Sequence, residues 1–397
     1  MNQTNNNVVF GSTEKKRIST NEFLFVLYFC SFSFLKPITT VAGGLSTLIL
    51  LATTGVILMT AFIHNGIIFN ANLLRFSLFA VGMLLLLATN MIFFNNSTLY
   101  SNAYDFCIYG LIPMLLLINV RDFSMVLKYW VYMTFAIGIL FLLDPFFGYR
   151  WSGGYMPLGF NQLLPAFASC MVIWLHYRKK WFMLFSAVFL IATLVFANKG
   201  SFIAAVAFGI VFFLYIKKQR KAILLTLLGG ALLLIIAYQF RFQIFDVFYD
   251  FALQLGVPSY SMATFREMLY VSPDRIFALR TDIWDNCLIE IQSHPIFGIG
   301  VGAFQSKYGL YPHNIFLDIL TSAGWIIFIP FVIILIVSLF SIKKMPHDKK
   351  IFMIMILFMW IIPMQMSLNM WNYMIFWIYF GVFMFRDRSV DNLGGTV

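Results

Sequence analysis

Charge is what this sequence has least of. Only 11% of its 397 residues are Asp, Glu, Lys or Arg, and just 16 of those are acidic. A soluble domain keeps its surface wet with roughly a quarter of its residues charged. The two or three soluble domains that such a length would suggest are therefore excluded, and lipid is expected as the main solvent. Cysteine is also scarce, with four in the chain. Cys30, Cys107 and Cys170 lie in or beside apolar runs and Cys287 stands apart, a spacing that excludes a zinc motif and a disulfide framework. Metal-ligand patterns are missing too: Asp282 and Asp285 are three apart, with no His or Cys at ligand spacing. No metal and no cofactor is expected. The first apolar run ends at Lys36-Pro37 without a small-residue cleavage site, so it reads as a retained span and not a signal peptide.

What the chain has instead is 61% hydrophobic and 19% aromatic residues, with a mean hydropathy of +0.85. Apolar runs of membrane length occur at about 22–36, 39–62, 73–94, 104–119, 129–147, 158–176, 181–197, 201–216, 222–239, 312–340, 351–367 and 371–385. They predict an all-α integral membrane protein of about 12 transmembrane helices, since helices satisfy their own backbone groups in lipid. The expected organisation is an inner tail at 1–21, nine spans within 22–239, a long outer loop at 240–311, three spans within 312–385 and an inner tail at 386–397.

The net charge of +11 would suit a nucleic-acid binder, but its placement sets topology instead. If the N-terminus, with Lys15, Lys16 and Arg17, is inside, alternation leaves only eight of the 27 basic residues outside: Lys36, Arg150, Lys199, Arg241, Arg266, Arg275, Arg280 and Lys307. That bias places both termini in the cytoplasm. The long connection then lies outside, as functional loops of such length often do. Within it Ser272-Pro273-Asp274 reads as a helix start. Ile276, Leu279, Ile283, Trp284 and Leu288 follow at helical spacing, with Arg280 beside them, as in a helix lying in the membrane interface. His294-Pro295 and Gly298, Gly300 and Gly302 end it.

Cations kept outside against the topology bias ask for an anionic ligand, and arginine's planar fork suits a phosphate or pyrophosphate. The other reading pairs them with the loop's own acids, Asp246, Asp250, Glu267, Asp274, Asp282, Asp285 and Glu290; for Arg241 and Lys307 it is preferred. Arg150 in Tyr149-Arg150-Trp151-Ser152-Gly153 and Lys199 in Asn198-Lys199-Gly200-Ser201 sit in short outer connections. His64, His176 and His347 fall inside and read as ordinary loop residues. Outside, His294 terminates a helix, while His313 opens a span in Pro312-His313-Asn314 with Asp318 one turn on. A histidine so placed either caps the helix or accepts a proton from a hydroxyl.

From Arg280 onward the chain resembles the O-antigen polymerase and O-antigen ligase superfamily. The matching residues are Arg280-Thr281-Asp282-Ile283-Trp284, the turn His294-Pro295-Ile296-Phe297-Gly298-Ile299-Gly300-Val301-Gly302-Ala303-Phe304, and His313-Asn314 opening a leucine-rich span. Upstream, Arg150 with Ser152-Gly153 and Gly159-Phe160-Asn161 resembles the family's Arg-x-x-Gly…Pro-Asn segment, and Asn198-Lys199-Gly200-Ser201 its Ser-Arg-Gly turn, with lysine for arginine. The resemblance implies a GT-C-like glycosyltransferase in the bacterial cytoplasmic membrane, working on its outer face. Its partners would be an undecaprenyl-pyrophosphate-linked donor and acceptor, the bilayer and a chain-length regulator. It implies inverting, metal-independent transfer, with His313 and Arg280 catalytic and Arg150, Lys199, Arg266 and Arg275 on the pyrophosphate. Asn314, His294 and Asp318 would support them. Polymerisation of repeat units is the preferred activity; ligation of the glycan to lipid A core is the alternative, and a transporter of the same lipid-linked glycans is the alternative from another class.

Overall fold

The computed structural model describes residues 11–42, 45–66, 69–94, 96–217, 239–254, 256, 263, 266–267, 270 and 274–385. The expected span at 222–239, the basic residues Lys218, Arg220 and Lys221, the Ser272-Pro273 helix start and the tail from Arg386 lie outside the described residues, apart from Gln239. Every described element is helical. The N-terminal part comprises α1 (Gly11–Phe34), α2 (Lys36–Ala42), α3 (Ser46–Asn65), α4 (Ala71–Phe93), α5 (Ser97–Asp105) and α6 (Ile112–Leu117), the last two joined by a π-helical segment, Phe106–Leu111. The middle holds α7 (Phe123–Phe141), α8 (Tyr155–Leu175), α9 (Phe182–Phe196) and α10 (Lys199–Lys217). Then come α11 (Arg241–Gln254), α12 (Asp274–Ser293), α13 (Ala303–Tyr308), α14 (Ile315–Ile342), α15 (His347–Ile361) and α16 (Met374–Met384).

Seven of these segments are long and apolar enough to cross a membrane, and α9 and α16 are shorter apolar helices. The chain is thus an all-helical membrane protein. Burial separates centre from rim: 89% of the apolar window of α8 is buried, against 11% for both α3 and α4. α8 packs on α7, α9 and α10, and a Thr134–Ser169 hydroxyl contact of 2.7 Å links α7 to α8. Leu48, Val56, Ile63, Leu78, Leu85 and Ile92 point outward from the rim. In water that would be a fault; in lipid it is the matching solvent.

Local chemistry moves several boundaries away from the hydrophobic runs. α7 starts six residues before the run at 129, because the Asp122 carboxylate accepts the Ser124 and Met125 amides and so caps the helix. α15 ends at Ile361 although the apolar run continues to 367. Pro363 has no amide hydrogen to continue the ladder, and the chain passes into a 3-10 turn over Pro363–Gln365. α12 buries a stripe of Cys287 and Glu290, with Arg280, Ile283 and Trp284 half-buried, whereas Leu288 is exposed. Arg280 therefore lies on the packed face of α12, not beside it, and that face is against α14.

α14 is broken at Gly324, where φ is +64°. The break strands backbone groups, each costing roughly 2–7 kcal/mol if left unpaired in an apolar surrounding. The glycine-rich turn after α12 pairs them. The Ile299 and Gly300 amides donate to the Thr321 and Ser322 carbonyls at 2.8 and 3.0 Å, and the Trp325 and Ile326 amides donate to Pro295 and Ile296 at 2.9 and 3.3 Å. Two glycines permit the approach. A Cβ on Gly324 would sit 2.3 Å from the Ile296 carbonyl oxygen, and one on Gly298 (φ +67°) 2.5 Å from that of Thr321. The turn does end α12, and it also fills the gap in the next span.

The connections meet in two groups. At one end Glu22 accepts the Arg121 and Asp122 amides, Arg75 donates to the Met384 carbonyl, and His176 meets Asp348. At the other, Thr40 donates to the Arg150 carbonyl, Asn198 to Met156 and Asn96 to Val301. α10 runs between the two groups, from Lys199 to Lys217.

Candidate active site

The site is built on a short polar break in an apolar stretch, Met366-Ser367, just after α15. Arg280 donates through Nη2 to the Met366 carbonyl at 2.9 Å, and the Tyr311 hydroxyl donates to the Ser367 carbonyl. Two chemistry-bearing side chains, one on α12 and one just before α14, thus hang from adjacent carbonyls on a third element. Neutral acceptors hold the guanidinium in place without cancelling its charge.

His313 lies beside this clamp. Its ring centroid is 4.0 Å from that of Tyr311, and its backbone is left-handed, with φ +55°. Histidine rarely adopts that region, and such strain tends to collect at functional sites. Pro312 is fixed from the other side, its carbonyl accepting the Trp284 indole N–H at 3.1 Å. Asn314 follows as the N-cap of α14, its side chain accepting the Phe316 and Leu317 amides. The helix cap is thus Asn314, which leaves the His313 imidazole for other work. His313 Nδ1 is buried without a hydrogen-bond partner among the described residues. Burial, and then the nearby Arg280 charge, hold its pKa below the ordinary histidine value, so at neutral pH it is an uncharged base. Burial pushes the Tyr311 hydroxyl up to about 12, so it stays a donor.

Lys199 completes the cation group. It is the first residue of α10, capped by Asn198, whose side chain accepts the Ser201 amide at 2.8 Å. Gly200 packs on the Met366 sulfur, and Lys199 lies within reach of the charges of Arg280 and Glu267. A helix N-terminus already carries positive potential; Arg280 adds to it and Glu267 partly offsets it, a setting that favours a further anion.

Arg150 is exposed, in a loop organised by the buried Asp144, which accepts the Trp151 and Ser152 amides at 2.8 and 3.0 Å. That loop joins the Lys199 turn through Tyr149, whose hydroxyl donates to Phe196 at 3.3 Å, and through the Asn198–Met156 bond. Among the described residues the Arg150 side chain makes no hydrogen bond or ring contact with Arg280 or His313. Asp318 sits one turn into α14, 3.4 Å from the Ser322 hydroxyl, and its charge reaches Tyr311. Two other expected residues meet different partners. Arg266 lies over the Tyr249 and Tyr270 rings, at 4.8 and 5.9 Å. His294 is 3.9 Å from Glu290, within a cluster where Glu290 also holds Lys307 and Tyr308, each at 2.6 Å. The side chain of Arg275 lies outside the described residues. Of the other cations expected outside, Lys307 is paired with that acid and Arg241 lies 4.6 Å from the Phe242 ring.

Sequence reading missed Tyr311 and the Met366-Ser367 carbonyls, and named Glu267 only among the acids that could pair with the outer cations. Pro363 with Gln365 inside an apolar run was the available signal of a break; nothing in the run says what the freed carbonyls hold. An apolar cavity of about 400 Å³ opens next to the site, between α4, α14 and α16. Its lining includes Ile319 and Ser322, just past Asp318, and Met370 and Trp371, just past Ser367. The candidate site therefore has a polar, cationic head and an apolar annex.

A family model described as O-antigen ligase matches residues 187–332. That stretch contains Lys199, Arg280, His294, His313 and Asp318, and excludes Arg150 and the Met366-Ser367 clamp. No curated protein and no solved structure matches the chain.

Proposed function

We propose that the chain, whose residues 187–332 match the O-antigen ligase family model, is a member of the O-antigen ligase and polymerase superfamily and polymerises lipid-linked oligosaccharide repeat units by metal-independent glycosyl transfer. The observation that carries this reading is the clamp of Arg280 and Tyr311 on one pair of backbone carbonyls, with His313 against Tyr311 and both His313 and Lys199 within reach of the Arg280 charge, beside an apolar cavity. The donor is a glycan on undecaprenyl pyrophosphate. Its diphosphate lies against Arg280 and Lys199, with Arg150 approaching from the adjoining loop, and part of its isoprenoid chain enters the cavity between α4, α14 and α16. The cavity lining of Phe79, Phe331, Trp371, Trp377 and Phe380 suits an unsaturated hydrocarbon.

In the transfer step an acceptor sugar hydroxyl attacks the donor's anomeric carbon. A C–O bond forms as the bond to the diphosphate oxygen breaks, so the anomeric centre inverts. His313 takes the hydroxyl proton, and the negative charge growing on the departing diphosphate is met by Arg280 and Lys199. Fixed cations are most effective where charge develops. On this reading the site faces the outer side of the cytoplasmic membrane with both termini inside, and the Lys and Arg distribution supports that orientation.

The test is a purified, detergent-solubilised chain given a lipid-linked repeat unit. A ladder of products is expected from the wild type and none from His313→Ala or Arg280→Ala. A normal ladder from both variants would remove these roles. Ligation to lipid A core is the second reading, favoured by the description of the matched family. A deletion strain separates the two: single repeats on the core mark a lost polymerase, and bare core with long chains retained on the carrier marks a lost ligase.

A further inference from the structure

At the opposite end of α10, three residues that read as ordinary loop positions come together. His176 follows the last residue of α8, while His347 and Asp348 open α15. One ring nitrogen from each histidine and a carboxylate oxygen of Asp348 all lie within 4.8 Å of one another. His176 Nε2 is 3.2 Å from Asp348 Oδ1, and the two imidazole centroids are 5.2 Å apart. We propose that His176, His347 and Asp348 form a site for a divalent transition-metal ion such as Zn²⁺.

A tetrahedral zinc site with metal–ligand bonds near 2.0–2.1 Å sets its ligand atoms about 3.3 Å apart. The His176–Asp348 edge already has that length, and closing the remaining edges needs a shift of at most about 1.5 Å. Two imidazoles and one carboxylate suit zinc, nickel or cobalt; magnesium and calcium prefer all-oxygen shells. The Tyr215 hydroxyl, near the end of α10, lies 3.3 Å from His347 Nδ1. Such an outer partner orients a ligating histidine and sets its tautomer. Two charged neighbours bear on a bound cation. Arg178 opposes it, but its side chain is exposed and screened by water. Lys349 is turned away, over the Phe123 ring and toward the Phe385 carbonyl.

The ligands and Tyr215 belong to three separate helices, so the ion would staple the ends of α8, α10 and α15. Tyr215 lies 16 residues from Lys199, about 24 Å of helix rise. The metal therefore takes no part in glycosyl transfer. It pins the start of the helix whose far end leads to Met366 and Ser367.

The full chain, purified with a tag free of histidine and stripped with EDTA, would be loaded with Zn²⁺ or Co²⁺ and desalted. One metal ion per chain is expected by elemental analysis, with the intense visible absorption of tetrahedral cobalt and a rise in Tm on zinc addition. His347→Gln and the near-isosteric Asp348→Asn should each weaken binding at least about a hundredfold and abolish the Tm rise, and Tyr215→Phe should weaken it about tenfold. Equal uptake by wild type and by folded, monodisperse Asp348→Asn would overturn the site, as would no uptake by the wild type.

Discussion

Cations meet backbone carbonyls at both ends of the bundle, Arg75 and Lys349 at one and Arg280 at the other, but the remaining ionisable side chains are used differently. At the His176 end they meet partners that neutralise or cap: Asp348 faces His176, Glu22 caps α7 from α1, and Asp122 caps it locally. At the Arg280 end the guanidinium is held by a carbonyl, and the imidazole packs tilted against the Tyr311 ring, next to a proline whose carbonyl accepts the Trp284 indole N–H. An ion pair in place locks structure; a cation held by neutral groups keeps its field for something that arrives later. Lys307 and Glu290 show that pairing is available nearby, so the arrangement around Arg280 is local and specific.

Five measurements would break or sharpen that contrast, the largest effect first. His313→Ala should lower transfer by about 10²–10⁴-fold, the usual contribution of a positioned base, and Arg280→Ala by about 10²–10³-fold, both read in the purified assay with protein levels unchanged. Gly324→Val should unfold or destabilise the chain by roughly 2–4 kcal/mol, seen as a lower Tm in detergent. It combines a positive φ with a clash against backbone that cannot yield. Trp284→Phe removes the bond to Pro312 and should cost about 1 kcal/mol of stability, with a larger loss in kcat than in Tm if that bond positions His313.

The pH profile tests the electrostatics. His313 must be neutral to act, and burial and Arg280 both disfavour its charged form. The rate should therefore fall only on acidification below the ordinary histidine range. Removing the positive charge in Arg280→Gln relieves one of these effects, so the acid limb of the residual activity should move to higher pH. A limb that stays in place would mean that another group titrates. The smallest change expected is Lys199→Arg, which keeps the charge and restores a fork; activity should stay within about threefold, against a loss of about tenfold for Lys199→Ala. A gain with arginine would mean that the diphosphate is gripped bidentately here.

Much of the architecture was legible before any coordinates. Eleven of the twelve apolar runs coincide with described helices, because transfer to lipid is a sum over about twenty neighbouring residues and packing hardly alters it. Caps and prolines then adjusted the ends, as Asp122 and Pro363 did. The candidate site was legible only as an inventory: Arg280, Lys199 and His313 stood out by residue type and position, and Arg266 and His294 stood out equally. Only the structure gives each its neighbours: the Met366 carbonyl for Arg280, two tyrosine rings for Arg266 and the Glu290 carboxylate for His294.

The linear order of residues settled the solvent this chain lives in, the helical form of its backbone and the uneven spread of Lys and Arg among its connections. All three follow from short-range free energies. Tertiary structure alone decided that the turn at Gly298 repairs the break at Gly324, that Met366 and Ser367 carry Arg280 and Tyr311, and that His176 stands beside Asp348. Each of these joins segments brought together by packing, at separations in sequence over which local preferences carry no information.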